Sequence, residues 1–185
     1  MGGIYVRIFR NRNRFLAVFL MLGFIVGILY ANMISDRYVT ASGIFSEYFL
    51  NQYVQTEIIA EEYMWSVIRA RVFPFLTVCI LGCTKWKKIL VGAVLGWTGF
   101  AGGMLAVSAV MRLGIKGLVL CAAGIFPQAL FYILPYTVLL LFLYQYPEGR
   151  WNTGKTIVIC LSFVIGILLE TYVNPMLMKL VIKAF

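Results

Sequence analysis

Long apolar runs separated by short polar or basic stretches dominate the pattern of this chain. A helix of about 20 mainly apolar residues spans the roughly 30 Å hydrocarbon core of a bilayer. Five runs meet that requirement and are predicted to be transmembrane spans, at 15–34, 66–84, 89–111, 117–146 and 156–185. The pattern therefore predicts one all-α membrane domain over 1–185, a polytopic helix bundle with about five transmembrane helices.

The fourth run is too long for one straight crossing. As a helix, 117–146 would extend about 45 Å. Pro127 and Pro135 lie within it, and proline removes a helical hydrogen bond and kinks or breaks the helix. We therefore expect a fourth segment broken by proline, and whether it crosses once or re-enters stays open.

Three polar side chains lie inside the predicted spans: Gln128 in the fourth, and Glu170 and Asn174 in the fifth. An ionised carboxylate at membrane depth is costly, so Glu170 needs a partner, a proton or a nearby surface. Counting along the helices places Gln128 about 16 Å and Glu170 about 9 Å below the same surface. The two side chains can meet, which favours a structural hydrogen bond, with a role in transport as the alternative.

The segment 35–65 between the first two spans is polar and predicted to lie outside the membrane. At 100° per residue, Glu47, Glu61 and Glu62 fall on the polar side of an amphipathic outer helix. This helix either lies in the interface or is exposed to water and packed on the bundle. The segment holds five of the seven acids, Asp36, Glu47, Glu57, Glu61 and Glu62.

One face of the third span carries almost no side chains. Its glycines recur at spacings of four and three, at Gly92, Gly96, Gly99 and Gly103. Small residues in this arrangement let a second helix backbone approach closely. The pattern favours helix packing within the bundle, and a pore-lining face or a homo-oligomer contact is the alternative.

Basic residues set the predicted orientation. The chain has 16 Lys and Arg against 7 acids, a net charge of +9, and the cations cluster beside apolar spans. This clustering is typical of a topology signal and not of a nucleic-acid-binding face. Four arginines in 1–14 precede the first span, which predicts a cytoplasmic N-terminus and, with five crossings, an external C-terminus.

The chain lacks several residue types on which common catalytic sites depend. The chain has no histidine and one aspartate, which excludes histidine triads, histidine-ligated zinc and a paired-aspartate protease. Cys79 and Cys83 lie one helical turn apart, but a tetrahedral metal site needs about two more ligands. These residues exclude most hydrolase mechanisms, and we expect no metal and no cofactor.

A short motif lies in the fourth segment. It has a glycine and an apolar pair, a proline, a polar residue, an apolar stretch and Leu-Pro, marked by Gly124, Pro127, Gln128, Leu134 and Pro135. The motif resembles that of the stage II sporulation protein M family, whose run is closer to L-P-H-G-x-x-E-x-P. The family's histidine corresponds to Gln128, its glutamate has no counterpart, and the prolines lie one residue further apart. The order of spans and polar segments is also similar.

This resemblance implies a non-enzymatic membrane scaffold. Proteins of that family anchor peptidoglycan-degrading enzymes, an amidase and a lytic transglycosylase, at the septal membrane during forespore engulfment. The expected partners are then membrane lipid and these hydrolases, with Glu47, Glu61 and Glu62 as the docking surface. The alternative is a small transporter, or a membrane subunit of one, with its site at the broken fourth segment and Glu170.

Overall fold

The computed structural model describes residues 16–33, 46–57, 59–146, 149 and 151–184. This part of the chain is helical and contains no strand, which confirms the predicted all-α bundle. The basic segment 1–14 and Asp36 lie outside the described residues. The helices are α1 (Leu16–Met33), α2 (Glu47–Gln55), α3 (Ala60–Gly82), α4 (Lys87–Leu113), α5 (Ile115–Ile125), α6 (Gln128–Gln145), α7 (Thr153–Leu168), a π-helical turn (Leu169–Val173) and α8 (Asn174–Lys183).

Five helical stretches of the described chain are long and apolar enough to cross a membrane, so the protein is a multi-pass membrane protein. They are α1, α3, α4, α6 and the continuous stretch Thr153–Lys183. Only 11% of the apolar windows of α1 and α3 is buried, and 33% of those of α6 and the last stretch. Most apolar side chains therefore point outward, where lipid can solvate them while each helix satisfies its own backbone.

The two ends of the bundle carry different charged residues. Lys85, Lys87 and Lys88 lie in and beside the short turn between α3 and α4, and this side is named the basic end. The opposite side, where α3 begins, carries exposed Glu57, Glu61 and Glu62 and is named the acidic end for these glutamates. It also carries cations of α4, α5 and α8: Arg112, Lys116, Lys179 and Lys183.

The contacts between helices give the direction of the chain. Gly23 lies against Gly96 and Gly27 against Phe100, so α1 runs parallel to α4, from the basic to the acidic end. The last helix also ends at the acidic end, because α8 packs against α2 and α5. The two termini of the described chain therefore lie at opposite ends, as an odd number of crossings requires.

The fourth segment crosses the bundle once. After α4 the chain turns at Gly114, whose φ of 59° favours glycine, and Gly117 lies against Ala109 at the acidic end. At the other end of the segment, the Tyr146 ring lies at the basic end, where the Lys87 ammonium is 3.0 Å from its centroid. α5 and α6 thus run antiparallel to α4, and the segment passes from one end of the bundle to the other without turning back.

The break falls at the first of the two prolines. Phe126 adopts an extended backbone after α5, and α6 begins at Gln128 directly after Pro127. Pro135 lies inside α6 and does not end it. α5 is therefore about 16 Å long, and α6 completes the crossing.

The predicted outer helix is shorter than expected. α2 covers nine residues, and Thr56 closes it because both its amide and its hydroxyl donate to the carbonyl of Gln52. α3 begins at Ala60, so Glu61 and Glu62 lie in its first turn and not on an amphipathic helix shared with Glu47. Acids suit this position because a helix N-terminus carries a partial positive charge.

Candidate functional site

A charged pair joins α3 to the π-helical turn near the middle of the bundle. The Arg71 guanidinium donates from Nε to Glu170 Oε2 at 3.0 Å and from Nη2 to Oε1 at 2.5 Å. Glu170 is 7% exposed, and the Arg71 side chain is 45% exposed. A bidentate arginine is a strong and directional partner for a carboxylate, so the buried charge of Glu170 is compensated.

The position of Glu170 follows from the π turn. Pro175 has no amide hydrogen and cannot donate to a carbonyl one turn earlier, and the Asn174 amide reaches back to the carbonyl of Leu169. This i to i+5 bond widens one turn, a feature found frequently at functional sites. The π turn lies within the predicted fifth span 156–185, and the helix continues through it as one wide turn.

Tyr132 of α6 packs against this pair. The Arg71 Cζ lies 5.1 Å from the centroid of the Tyr132 ring, within the range of a cation–π contact. A Cβ on Gly166 of α7 would lie 2.9 Å from Tyr132 Cε1. Gly166 therefore lets the ring lie flat against α7, where it also contacts the ring of Phe163 at 5.9 Å between centroids.

The breaks in the fourth and fifth crossings lie side by side. α6 and α7 are antiparallel, with Tyr132 beside Phe163 and Gly124 beside Met178. These two contacts place the Phe126–Pro127 break and the π turn at about the same level of the bundle. Discontinuous helices at one depth place free backbone groups and polar side chains together in the membrane, as at the binding sites of many transporters.

A cavity of about 740 Å³ lies between α3, α4, α5 and α6, beside Arg71. Its walls are mostly apolar, and Gln128 and Tyr132 are among the residues that line it. Gln128 is 3% exposed, and its Nε2 donates to the Gly124 carbonyl at 2.5 Å. Within the described part of the chain, Gln128 Oε1 is buried without a hydrogen-bond partner, and the Tyr132 hydroxyl lies beside the Glu170 carboxylate.

The glycines of α4 have different surroundings. A Cβ on Gly99 or Gly103 would meet the α1 backbone at less than 3.0 Å, at the carbonyls of Leu20 and Phe24. A Cβ on Gly92 would touch only the ring of Phe19, and one on Gly96 would meet nothing within 4 Å. Gly96 borders a groove of about 470 Å³ together with Gly23 and Trp97 of the α1–α4 pair. The small-residue face thus serves packing against α1 at three of its four positions.

The remaining predicted residues are dispersed. Leu134 is exposed on the outer surface of α6, Pro135 is buried, and Asn174 is buried with Oδ1 lacking a partner among the described residues. Glu61 and Glu62 are exposed at the acidic end, and Glu47 begins α2.

Two residues of the site were not predicted from the sequence. Arg71 was counted among the cations at the span ends, and Tyr132 was not singled out. The signal for Arg71 was present, because an arginine five residues inside the predicted span 66–84 needs a partner as much as Glu170 does. Glu170 was expected near Gln128, and its partner is Arg71.

The arrangement suits binding of a ligand better than metal chemistry. Among the described residues, no group of three or more Cys, Asp or Glu side chains could hold a metal ion. Comparison with known proteins finds no match to a family model, to a curated protein or to a solved structure. The resemblance to the stage II sporulation protein M family therefore stays a prediction from the motif.

Proposed function

We propose that the protein is a non-enzymatic membrane scaffold that holds peptidoglycan-degrading enzymes, an amidase and a lytic transglycosylase, at the bacterial septal membrane during forespore engulfment. The observation that carries this proposal is the cluster of exposed glutamates at the start of α3, at one end of the bundle. Glu61 and Glu62 project from the first turn of α3, and Glu57 precedes them. The motif at 124–135 resembles that of the stage II sporulation protein M family, and this resemblance supports the proposed partners.

The acidic end is built to present a surface. α2 is held on the bundle by packing against α8, and the Lys179 ammonium donates to the Thr56 carbonyl at 2.8 Å. This bond ties the end of α2 to the last helix. A partner would therefore meet an ordered acidic face.

The proposed orientation puts the acidic end outside the cell. Lys and Arg accumulate on the cytoplasmic side of membrane proteins, and Lys85, Lys87 and Lys88 lie at the basic end. The N-terminus is then cytoplasmic and the C-terminus external. In a cysteine-free background, a cysteine at Gln55 should react with an impermeant maleimide in intact cells, and one at Lys85 should react only after lysis. The reverse pattern contradicts the orientation and the scaffold with it.

Reversing the acidic charges tests the docking surface. Complementary charge raises association rates by about tenfold or more and sets specificity. The triple variant E47K/E61K/E62K should insert normally and recover at least about tenfold less of the hydrolases in a detergent pull-down. Adding lysines at Gln52 and Gln55 of α2 is the control for nonspecific positive charge and should retain recovery. Undiminished recovery by the triple variant would remove this surface from the proposal.

A second candidate function is that of a small transporter, or of a membrane subunit of one. The side-by-side breaks next to a charged pair and a cavity favour it, as described for transporter sites. Glu170→Gln keeps a hydrogen-bonding side chain and removes the charge. In proteoliposomes with an internal pH dye, a proton flux that the wild type shows and this variant lacks would favour transport. Equal, background fluxes in both would favour the scaffold.

A further inference from the structure

A further cavity, of about 700 Å³, lies at the basic end of the bundle. The turn between α3 and α4, the start of α4 and the end of α6 line it. Lys85, Lys87 and Lys88 are among its lining residues, and within the described part of the chain no carboxylate lines it. Lys85 and Lys88 are exposed, and Lys87 is half-buried. The cavity therefore offers accessible ammonium groups.

Two aromatic rings at the end of α6 hold two of these lysines. The Lys87 ammonium lies 3.0 Å from the centroid of the Tyr146 ring, and the Lys88 ammonium lies 6.0 Å from that of Tyr144. Cations within about 6 Å of an aromatic centroid are attracted by the ring. Side chains of α4 are thus gathered toward α6, around one space, and their charges are not spread over the surface.

This positive charge lies where a helix disfavours it. Lys87 and Lys88 belong to the first turn of α4, which contains no acid. A helix N-terminus carries a partial positive charge, so acids stabilise it and cations do not. The start of α3, with Glu61 and Glu62, follows this rule, and the start of α4 opposes it. An anion bound in the cavity would offset both the lysines and the helix terminus.

The cavity lies at the level of the lipid headgroups. α3 ends at Gly82 and α4 begins at Lys87, so two of the five apolar crossings leave the hydrocarbon here. Trp86 and Ile89 line the cavity and are 69% and 64% exposed. Tryptophan is enriched at the membrane–water interface, and an exposed isoleucine at the start of a span faces acyl chains. An anion that also carries acyl chains therefore matches both parts of the wall.

We propose that this cavity binds the phosphate headgroup of an anionic phospholipid. The phosphate lies among the ammonium groups of Lys85, Lys87 and Lys88, and the acyl chains continue past Ile89 into the bilayer. The volume is within the range of small-molecule sites, and basic pockets between membrane helices suit such headgroups. This site goes beyond the scaffold proposal and depends neither on it nor on the orientation of the chain.

Native mass spectrometry of the purified full-length chain in neutral detergent micelles tests the site. The probes are phosphatidylglycerol and phosphatidylcholine with identical acyl chains, which differ in net headgroup charge. Phosphatidylglycerol should bind at least about tenfold more tightly, because each lysine near an anionic headgroup contributes about fivefold. Glycerol 3-phosphate carries the phosphate without acyl chains, and an equal concentration should not displace the lipid.

Substitution of the three lysines locates the phosphate. K85Q/K87Q/K88Q should lower the affinity for phosphatidylglycerol by at least about tenfold and leave that for phosphatidylcholine unchanged. K85R/K87R/K88R keeps the charge and should keep most of the affinity. Micelles have no inside and outside, so an effect of these lysines on membrane insertion does not enter the measurement. Lys85→Gln or Lys88→Gln alone, with a loss of about fivefold, suffices if the triple variant is not monodisperse.

The arginines before α1 supply a matched control. R10Q/R12Q/R14Q removes the same three charges from a segment that precedes α1 in the sequence. Its affinity for phosphatidylglycerol should stay within about twofold of the wild type, because solvent-exposed charges more than about 10 Å apart are largely screened. A loss equal to that of the lysine variant would show that binding reflects overall charge and not the cavity, and the proposal would be wrong.

Three further results would overturn the proposal. Equal affinities for phosphatidylglycerol and phosphatidylcholine would show that the headgroup charge is not recognised. Displacement of the lipid by an equal concentration of glycerol 3-phosphate would identify a site for soluble phosphate. Unchanged affinity in the lysine variants would place the lipid elsewhere. None of these results bears on hydrolase recruitment, because the purified chain is tested without those enzymes.

Discussion

Helix α4 has two contrasting neighbours. Toward α1, Gly99 and Gly103 leave no room for one more methyl group, and the two backbones touch. Toward α6, Val94 and Thr98 border a cavity of about 740 Å³. A backbone-to-backbone contact and a cavity therefore occur on two sides of one helix.

The difference shows that a chain with few polar residues uses two kinds of contact between its helices, each in a separate region. Lipid and a helix partner are equally apolar, so helices in membranes associate through close packing and polar contacts. The α1–α4 contact uses close packing alone, with glycine in place of side chains. The region around Arg71, Tyr132 and Glu170 uses polar contacts, and it leaves room beside them.

Loss of Arg71 should have the largest effect on stability. Arg71→Met leaves the Glu170 carboxylate buried without a counter-ion, which costs about 3 kcal/mol, at the lower end of the usual range because Arg71 is half exposed. The double variant Arg71→Met/Glu170→Leu should recover most of this loss, since paired removal leaves no buried charge. The free energy of unfolding in a mixed-micelle denaturant titration measures both. Additive losses would mean that the two side chains are not coupled.

Filling the glycine contact should have an intermediate effect. Gly99→Ala places a Cβ against the α1 backbone and should destabilise the protein by about 1–3 kcal/mol. Gly96→Ala faces open space and should leave stability unchanged or raise it by up to about 1 kcal/mol, since alanine favours helix. The same denaturant titration compares the two substitutions on one helix. Equal effects would contradict the backbone contact between α1 and α4.

The smallest expected effect on stability is a gain, at Thr171. Thr171 in the π turn is 3% exposed, and its hydroxyl has no partner among the described residues. Thr171→Val removes this unsatisfied group and should stabilise the protein by about 1 kcal/mol. Thr98→Val removes a hydroxyl that donates to the Val94 carbonyl at 2.8 Å, and it should lower stability by about 0.5 kcal/mol. A loss in the Thr171 variant would indicate a partner for that hydroxyl.

Features that depend on one helix were predictable from the sequence. The lengths of the apolar runs predicted the five spans, because the thickness of the bilayer sets the length that a spanning helix needs. Spacing along α4 singled out Gly99 and Gly103, since one helical face is defined by local sequence. Pro127 marked the break for the same reason, as the loss of an amide hydrogen acts within one turn.

Features that depend on how helices rotate against each other were not predictable. Arg71 and Glu170 are 99 residues apart, and their meeting depends on the rotation of α3 and on the added residue of the π turn. The depths of the two side chains below the membrane surface, counted along the sequence, were compatible with Gln128 as the partner of Glu170. The cavity is likewise lined by residues of several helices, α3, α4, α5 and α6 among them, so no single segment encodes it.

The alignment of the two breaks also divides the packing of the bundle. α5 and α8 pack on each other and share a small cluster around Ala109 and Leu120, separate from the larger cluster around Tyr132 and Phe163. Each of these two helices is joined to the rest of its crossing at a break, where regular helical hydrogen bonding is interrupted. Because Gly117 of α5 also lies against Ala109 of α4, α5, α8 and the end of α4 form one packed unit whose border with the larger cluster lies at the depth of the two breaks.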